Sequence, residues 1–376
     1  MTKRTVFRIT TLGLVGLIIA SGLLACEQFL RFKQERIRRS DQLDPGLVRH
    51  DPLLGWVLTP NWTGRHRHHD FDVHYTINAS GFRVDPGVDG QSAPRRAPSL
   101  AGSSLVAVVG DSFTFGLGVN DGGTFVAQLN RSGTNGFVNC AMPGFSTDQE
   151  VLLIEREVLK LEPDTVLVVV CLVNDLFDNA RAFPLQVDAA KPHFESTASG
   201  LELRNTPVPE MHKPPAEAAV DLPTVVLGPE HGHTLRARLT RRSELFQLIE
   251  GSVLPQPDRT AEFETRFRPA LDLFRAIVRR LQNDCGPRNA RLVLALLAGR
   301  SYVEEPSSVS AQYQEVLRQD VLRELVEDGV RVIDLAGPMR RTWTRAQGRW
   351  FHPHDGHLTP EGHRVVAKII LGGGVR

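Results

Sequence analysis

A serine, and an aspartate and a histidine that lie close together far along the chain from it, indicate the chemistry that the chain could perform. Ser112 lies in the segment Gly110–Gly116, and His357 lies near the other end of the chain, two residues after Asp355. A serine hydroxyl becomes a nucleophile when a neighbouring base takes its proton, and a histidine can be that base. A carboxylate beside the histidine fixes the tautomer of the ring and stabilises its charged form. These residue types indicate acyl transfer through a covalent intermediate on Ser112.

Acyl transfer also requires hydrogen-bond donors that stabilise the oxyanion of the tetrahedral intermediate. The backbone N–H groups of Ser112 and Gly144 and the side-chain amide of Asn174 are candidates for this oxyanion hole. Losing one such donor typically lowers the rate by about 10²–10³. A turn glycine and a turn asparagine are common on their own. The chemical interpretation therefore rests on the serine, glycine, asparagine and histidine segments occurring together and in this order.

Several polar residues near these segments have other interpretations. His354 and His363 are alternative candidates for the base, although His363 falls in the first turn of the predicted last helix and is more simply structural. Asp111 is expected to hold the nucleophile turn by hydrogen bonds, and Asp175 to stabilise the asparagine loop. The histidine-rich run at 66–70 is interpreted as an exposed polar loop. The proposed chemistry needs no metal and no organic cofactor.

Regular elements must bring these segments together, and the apolar pattern predicts them. The predicted buried strands are Leu105–Val109, Phe137–Ala141, Thr165–Val173, Arg291–Leu297 and Val330–Leu335. Helical periodicity occurs between them, at about 147–161, 236–250, 260–284 and 310–327. Such alternation predicts an α/β fold with a parallel sheet covered by helices on both faces. Ligands bind at the carboxyl ends of the strands in sheets of this kind, and the candidate segments lie at those ends.

Two helix starts are also predicted from residue type. Thr147 and Glu150 have the spacing of a capping box, in which each side chain bonds the other residue's backbone. Thr359 is predicted as the N-cap of the last helix, followed by Pro360 at its first position.

The chain divides into four parts by composition, with one insertion. These are a basic tail at 1–8, an apolar segment at 9–30, a lead-in at 31–103 with a small β-rich region and a linker at 86–103, and a catalytic domain at 104–376 with a lid-like insertion at about 180–250. The insertion is assigned from its many prolines and few apolar runs.

The apolar segment at 9–30 follows a basic start, and three interpretations remain open. It is a transmembrane signal anchor, the end of a lipoprotein signal with Cys26 as the lipidated residue, or a cleaved secretory signal. We expect the anchor, because the apolar run continues beyond Cys26. The basic residues at 31–39 outnumber those before the segment, and taken alone this asymmetry would place the rest of the chain in the cytoplasm.

Composition excludes several classes of protein. The 376 residues carry a net charge of +1, are 41% hydrophobic and include four cysteines. A disordered chain, a multi-pass membrane protein and a disulfide scaffold do not have this composition. The near-neutral charge also provides no broad field for binding nucleic acid, so we expect no nucleic-acid partner.

Taken together, these segments resemble the SGNH/GDSL hydrolase superfamily. Ser112 matches its serine block, Gly144 its glycine block, Asn174 its asparagine block and His357 its histidine block. The resemblance covers about 104–180 and 285–372 and implies a three-layer α/β/α sandwich with a flavodoxin-like parallel sheet. The segments PLLGWVLTPN, INASGFR and GDSFTFGLGV also resemble a bacterial subgroup with an N-terminal anchor.

One spacing departs from the superfamily pattern. The superfamily commonly has two residues between the aspartate and the histidine, whereas Asp355 and His357 are separated by one. The shorter spacing resembles relatives that O-acetylate alginate and cell-wall sugars, and it leaves open how Asp355 orients the ring. The resemblance implies a serine esterase in the bacterial cell envelope, acting outside the cytoplasm on O-acyl groups of a carbohydrate or a small ester. An O-acyltransferase with the same residues and a silent carbohydrate-binding or scaffold protein are the alternatives.

Overall fold

The computed structural model describes residues 2–84, 104–132, 136–228, 230, 234–252 and 256–374. The predicted linker at 86–103 lies outside the described residues. The strands are β1 (Gln42–Leu43), β2 (Val48–Asp51), β3 (Gly55–Leu58), β4 (Thr63–His68), β5 (Phe71–Thr76), β6 (Leu105–Gly110), β7 (Gly136–Asn139), β8 (Thr165–Cys171), β9 (His193–Thr197), β10 (Gly200–Arg204), β11 (Arg291–Leu297) and β12 (Arg331–Asp334).

The α-helices connect and cover these strands. They are α1 (Lys3–Ser40), α2 (Ser112–Phe115), α3 (Phe125–Arg131), α4 (Thr147–Arg156), α5 (Asp175–Asp178), α6 (Pro215–Ala218), α7 (Leu222–Leu227), α8 (Leu235–Arg242), α9 (Glu244–Ser252), α10 (Thr260–Arg266), α11 (Arg268–Cys285), α12 (Arg300–Glu304), α13 (Val309–Glu327), α14 (Ala336–Thr342) and α15 (Pro360–Gly373).

A five-stranded parallel sheet forms the centre of the fold, as the apolar runs predict. Its order is β12-β11-β8-β6-β7, with β11 in register from Arg291 opposite Thr165 to Leu297 opposite Cys171. Every residue of β6 and β8 is buried, which explains why these strands are apolar throughout rather than alternating. If these five strands are numbered 1 to 5 along the chain, their order in space is 2-1-3-4-5, which is the flavodoxin-like order. In such sheets the ligand crevice lies at the carboxyl ends of strands 1 and 3, here β6 and β8, where the strand order reverses.

Two groups of helices flank this sheet. One group contains α3 and α15, which pack against each other, and the other contains α4, α11 and α13. The longest of them, α11 and α13, each bury an apolar side; in α11 that side is formed by Leu271, Phe274, Ile277, Val278 and Leu281. Their spacing of three or four residues gives a helix one apolar face. The result is the three-layer α/β/α sandwich that the resemblance implies.

The start of α4 differs from the predicted capping box. Ser146 is the N-cap, so Thr147 is the first helical residue, and neither the Thr147 hydroxyl nor the buried Glu150 carboxyl has a hydrogen-bond partner. Asp148 explains the difference, because its Oδ1 accepts a hydrogen bond from the Ser146 hydroxyl at 2.8 Å. The Asp148 backbone N–H donates in turn to Asn179 Oδ1 at 3.0 Å. The prediction was therefore wrong in assigning the cap to Thr147 and Glu150.

Other helix predictions are confirmed with finer boundaries. The helical patterns at 236–250 and 260–284 each form two helices, because the chain turns at Ser243 and at Phe267. The last helix begins as predicted, with the Thr359 hydroxyl accepting a hydrogen bond from the Gly362 N–H at 3.2 Å and Pro360 at the first position. Between β8 and α10, the insertion forms the β9–β10 hairpin and helices α6 to α9.

The lead-in is a small antiparallel β region, as the alternating residues predict. Strands β1, β4 and β5 form one sheet, and β2 pairs with β3 in a separate hairpin. Preceding them, α1 runs for 38 residues and has a mean hydropathy of 2.2 over its most apolar stretch. By length and composition, α1 is the one helix among the described residues that could cross a membrane.

Candidate active site

Ser112 lies at the carboxyl end of the buried strand β6, in the first turn after it. Asp111 caps the short helix that follows by accepting a hydrogen bond from the Phe113 N–H at 2.9 Å, as expected. The chain turns tightly here, since a Cβ on Gly110 would lie 2.4 Å from Thr114 Oγ1 and 3.0 Å from the Val169 carbonyl oxygen. A glycine at this point therefore lets the strand enter the turn that presents the Ser112 hydroxyl.

The structure brings the three predicted catalytic side chains into one chain of hydrogen bonds. Ser112 Oγ lies 2.7 Å from His357 Nε2, and His357 Nδ1 lies 2.8 Å from Asp355 Oδ1. The Phe113 ring packs against the imidazole with a centroid separation of 4.7 Å. Nucleophile, base and orienting carboxylate have this hydrogen-bonded arrangement in serine hydrolases.

The short spacing between Asp355 and His357 is accommodated by a turn at Gly356. Gly356 has a φ of +92°, and a Cβ there would contact nothing within 4 Å, so the glycine is needed for its backbone conformation rather than for space. In this turn Asp355 Oδ1 accepts hydrogen bonds from both the His357 backbone N–H, at 3.1 Å, and its Nδ1. The His352 N–H donates to the His357 carbonyl oxygen at 2.8 Å and closes the loop. One intervening residue is therefore sufficient to orient the ring.

Electrostatics keep Asp355 ionised. Burial acts to raise the pKa of Asp355, but hydrogen bonds and charge attraction from His357 outweigh it and lower that pKa. An ionised carboxylate accepts the proton of Nδ1–H. Nε2 is then left with its lone pair, directed towards the Ser112 hydroxyl.

The lead-in supports this loop, a role that the sequence interpretation missed. Asp70 Oδ2 accepts hydrogen bonds from the backbone N–H groups of His354, at 2.7 Å, and Asp355, at 3.0 Å, and Asp70 Oδ1 lies 2.7 Å from His354 Nδ1. The Asp70 side chain is only 4% exposed. Burial would raise the pKa of Asp70, but these hydrogen bonds lower it to about 2. The run at 66–70 was therefore wrongly interpreted as an exposed polar loop, because His66 is buried in β4 and the Asp70 side chain is buried in the turn that follows.

The alternative bases lie in other environments. The His354 ring is engaged with Asp70 and packs edge-on against His69 at 4.8 Å between ring centroids. His363 is fully buried, and its Nδ1 accepts a hydrogen bond from the Phe125 N–H at 3.1 Å, in the structural role expected of it. Of the three candidate histidines, the structure places His357 against Ser112 Oγ.

A second residue of the lead-in, Arg83, supports the loop after the nucleophile. Its buried guanidinium donates to the carbonyl oxygens of Phe115, Gly116 and Val119, each at 2.6 Å. The same group lies between the rings of Tyr75 and Phe115, 4.7 Å from each centroid. Arg83 is the last residue of the INASGFR segment. In the sequence, only the resemblance of that segment to anchored relatives pointed to Arg83.

Gly144 and Asn174 lie after β7 and β8, in the loops expected to supply oxyanion donors. Gly144 has a φ of +79°, and a Cβ there would lie 2.4 Å from Val187 Cγ2, so the close packing requires glycine. Trp56 of the lead-in supports this loop by donating from Nε1 to the Pro143 carbonyl oxygen at 2.9 Å.

The Asn174 side chain is buried and held by one partner. Its Nδ2 donates to Asp178 Oδ2 at 3.0 Å, and Asp178 Oδ1 accepts from the Leu185 N–H at 2.8 Å. An amide nitrogen carries two hydrogens, so one bond to Asp178 fixes the orientation of the amide and leaves a second hydrogen for another acceptor. Asp175, beside it, accepts from the Cys171 N–H at 2.6 Å and stabilises the loop as expected.

Two groups of side chains among the described residues have the composition of a metal site. Their members, with ligand atoms within 4.8 Å of one another, are His69, Asp70 and His354, and Asp111, Cys171 and Asp175. In the first group, both Asp70 oxygens already accept hydrogen bonds from the catalytic loop. In the second, Asp111 and Asp175 already accept backbone hydrogen bonds from their own turns. Hydrogen bonds within the protein therefore account for the close approach of the side chains in both groups.

Comparison with known proteins identifies the family of this chain. The GDSL-like lipase/acylhydrolase family matches residues 108–365. No protein with a curated description matches the chain in sequence. Among solved structures, a catalytic mutant of an acetylxylan esterase from Geobacillus stearothermophilus is 13% identical, with 73% of this chain and 97% of that chain covered and a TM-score of 0.40.

Two further structures are similar at the same level. A lipolytic protein of the G-D-S-L family from Desulfitobacterium hafniense is 12% identical, covers 72% of this chain and 100% of its own, and has a TM-score of 0.38. An alpha/beta hydrolase from the metagenome of Lake Arreo, Spain, is 16% identical, with 73% and 96% covered and a TM-score of 0.36. These scores are low, so no residue role or substrate is transferred from these proteins.

The family match spans most of the chain and contains every residue of the hydrogen-bonded chain from Ser112 to Asp355. The parallel sheet and its flanking helices have the topology that the resemblance implies. The chain belongs to the GDSL-like lipase/acylhydrolase family and is a hydrolase of ester bonds.

Proposed function

We propose that this protein is a membrane-attached serine esterase that removes O-acyl groups, acetyl in particular, from an envelope carbohydrate or a similar small ester. The observation that carries the proposal is the 2.7 Å contact between Ser112 Oγ and His357 Nε2, with Asp355 on the other ring nitrogen. A hydroxyl hydrogen-bonded to a neutral imidazole is ready to lose its proton as it attacks a carbonyl carbon.

The reaction follows from these contacts in two halves. In the first, Ser112 Oγ bonds to the carbonyl carbon of the ester while His357 Nε2 takes its proton, and the carbonyl oxygen becomes an oxyanion. When the intermediate collapses, His357 gives that proton to the departing alcohol and the acyl group stays on Ser112. In the second half, water attacks the acyl carbon while His357 takes its proton, and His357 then returns that proton to Ser112 Oγ as the bond to the acyl group breaks and the acid leaves.

The oxyanion donors in this proposal are the N–H groups of Ser112 and Gly144 and the free amide hydrogen of Asn174. All three residues follow the carboxyl ends of adjacent strands of the sheet, β6, β7 and β8, which supports a shared site for their donors at that edge. The bond from Asn174 to Asp178 supports this role, because a donor that is already oriented loses little entropy when the oxyanion forms.

A carbohydrate O-acyltransferase is the second candidate, favoured by the Asp355–His357 spacing. The same acyl-enzyme on Ser112 would then be resolved by a sugar hydroxyl instead of water. Hydrolysis and transfer use the same residues up to that point, so only the acceptor distinguishes them.

The full chain in detergent, incubated with p-nitrophenyl acetate with and without an oligosaccharide acceptor, separates these functions. Both functions release p-nitrophenol; free acetate as the sole acetyl-containing product supports the esterase, and acetylated sugar supports the transferase. A folded protein with neither product would indicate a silent binding protein and overturn both.

The nucleophile is tested by Ser112→Ala, with Ser199→Ala as a matched control. Ser199 carries the same hydroxyl in the exposed turn between β9 and β10, away from His357. We expect Ser112→Ala to lower turnover more than about 10³-fold and to abolish labelling by a fluorophosphonate probe. Labelling that persists in Ser112→Ala would show that the nucleophile is a different residue.

We further propose that residues 9–30 anchor the chain in a membrane, with the catalytic domain outside the cytoplasm. The length and hydropathy of α1 support the anchor. A reporter that is active only in the periplasm, fused after residue 376, should be active; activity from a cytoplasmic reporter would reverse the orientation. Replacing Cys26 by serine should leave attachment unchanged, because the anchor does not depend on a lipid at that residue.

A further inference from the structure

Helices α8 and α9 form a pair that exposes an unusual amount of apolar surface. We call residues 234–252 the helical hairpin. Outside α1, nine large apolar side chains of the described residues are exposed, and four of these belong to the hairpin. They are Leu235 at 71%, Leu239 at 40%, Leu248 at 55% and Ile249 at 41%. Single exposed apolar residues are ordinary, whereas a concentration of them marks a surface that meets another apolar phase.

The hairpin is attached directly to α1. Glu27 of α1 accepts hydrogen bonds from the Ser243 hydroxyl at 2.8 Å and from the N–H groups of Leu245, at 3.0 Å, and Glu244, at 3.2 Å. A carboxylate at this position satisfies the free N–H groups at the start of α9 and interacts favourably with the helix dipole. Arg31, one turn later on α1, is bonded to Glu27 and to the Arg242 carbonyl oxygen.

The position of Glu27 along α1 sets the height of the hairpin relative to a membrane. Residues 9–26 carry no charge and are bounded by Arg8 and Glu27. Eighteen helical residues rise by about 27 Å, close to the roughly 30 Å thickness of the hydrocarbon layer. If this segment spans the layer, Glu27 and Arg31 lie at its boundary, and the contacts to Ser243 and Arg242 hold the hairpin at the same level.

The positive charge of the hairpin is suited to the boundary between the hydrocarbon layer and the lipid headgroups. Helix α8 carries arginines at 236, 238, 241 and 242 and no acidic residue, while α9 adds Glu244 and Glu250. Glu250 pairs with Arg236, and the hairpin keeps an excess of positive charge. Arginine pairs well with phosphate oxygens, and basic residues at a membrane surface are attracted by anionic lipids. Leu235 and Leu239 are four residues apart and therefore lie on one side of α8 among these arginines. A basic helix with an apolar side is the pattern of helices that lie in the membrane interface.

We infer that the helical hairpin is a membrane-docking element that lies in the headgroup layer beside α1, with its exposed leucines in the lipid and the exposed Arg241 and Arg242 on lipid phosphates. This inference rests on the proposed anchoring by residues 9–30. The hairpin and Glu27 together would give the catalytic domain two attachments to the membrane, and hence a defined orientation for its active site. The lipid class implied is an anionic phospholipid.

The test uses the full chain in lipid nanodiscs, with a fluorophore on a single cysteine. Cys26 is replaced by serine, and the other native cysteines are buried. The probe is placed by Leu239→Cys, Leu248→Cys, Leu17→Cys in the anchor, or Val326→Cys, an exposed apolar residue at the end of α13. Turnover of p-nitrophenyl acetate checks that each protein is folded.

We expect lipids spin-labelled near the headgroup to quench the probes at 239 and 248 at least threefold more than the probe at 326. Lipids labelled deep in the acyl chain should quench the probe at 17. Quenching at 17 without quenching at 239 and 248 would overturn the docking and leave the anchor standing. No quenching at any position would overturn the anchor itself.

Lipid composition tests the role of the arginines. Quenching at 239 should increase when neutral lipid is partly replaced by anionic lipid, and high salt should reduce that increase because it screens exposed charges. Equal quenching in both lipids would overturn the pairing of the arginines with phosphate. Energy transfer between labelled copies at 248, with no lipid quenching there, would show that a second copy of the chain covers the hairpin instead.

Discussion

Asp70 and His354, 284 residues apart in the chain, are joined by a 2.7 Å hydrogen bond between Oδ1 and Nδ1. The other carboxylate oxygen of Asp70 accepts from the backbone of His354 and Asp355. The lead-in thus contacts the loop that orients the catalytic histidine, although it lies outside the residues matched by the family. We infer that Asp70 is a positioning residue, acting on His357 through Asp355.

Asp70→Asn should lower kcat by about tenfold or more with KM within twofold. An asparagine places an NH₂ group where one carboxylate oxygen accepts hydrogen bonds, so at least one donor of the loop loses its partner. Because chemistry rather than binding is affected, the rate of fluorophosphonate labelling of Ser112 should fall by the same factor. Asp72→Asn, an exposed residue of β5 two positions after Asp70 that pairs with Arg65, is the control and should change neither rate. An unchanged labelling rate in Asp70→Asn would contradict the positioning role.

Gly356→Ala should separate backbone strain from catalysis. Gly356 and Gly348 both have a positive φ, +92° and +86°, with open space around them, so alanine at either position is strained and costs about 1–3 kcal/mol of stability. Only Gly356 lies between Asp355 and His357. We expect Gly356→Ala to lower kcat by about 10²-fold and Gly348→Ala to leave it within twofold, with the loss of Tm measured for each. Equal kcat values in the two variants would show that the turn at Gly356 is not needed for the triad.

Asn174→Ala should lower kcat by about 10²–10³ while KM changes little. A donor aimed at the developing oxyanion is used mainly in the transition state, so its removal leaves substrate binding nearly intact. Steady-state kinetics with p-nitrophenyl acetate measure both constants. An unchanged kcat would assign Asn174 to the structure of its loop alone.

His363 should make stability depend on pH. Burial lowers the pKa of His363 to about 3, against an ordinary value of 6.5 in the unfolded chain. The unfolded chain therefore binds a proton first, and stability is lost as pH falls below about 6.5, by about 2 kcal/mol at pH 5. His363→Asn removes this dependence.

Urea unfolding of the wild type and His363→Asn at pH 8 and pH 5 measures the effect. The variant should be less stable at pH 8, because it packs less well, but the gap between the two proteins should narrow by about 2 kcal/mol at pH 5. A gap that stays constant between the two pH values would show that His363 is protonated equally in the folded and unfolded chains.

The central strands, the last helix and the pairing of Ser112 with His357 could all be predicted from the sequence. Apolar runs such as Leu105–Val109 depend on local periodicity and burial, which residue types record directly. The contact between Ser112 and His357 could be predicted because both residues follow or precede such elements at the carboxyl edge of a parallel sheet, where position is set by the topology.

The tertiary structure decided which residues support that site. The bonds from Asp70 to the catalytic loop and from Glu27 to the hairpin join segments more than 200 residues apart, and no periodicity marks either residue. The capping box predicted at Thr147 is also replaced by tertiary contacts. Asp148 forms hydrogen bonds with Ser146 and with Asn179, which lies 31 residues further along the chain. The partner of a polar side chain depends on which distant groups packing brings within about 3 Å, and that distance is set by the whole fold rather than by neighbours in the chain.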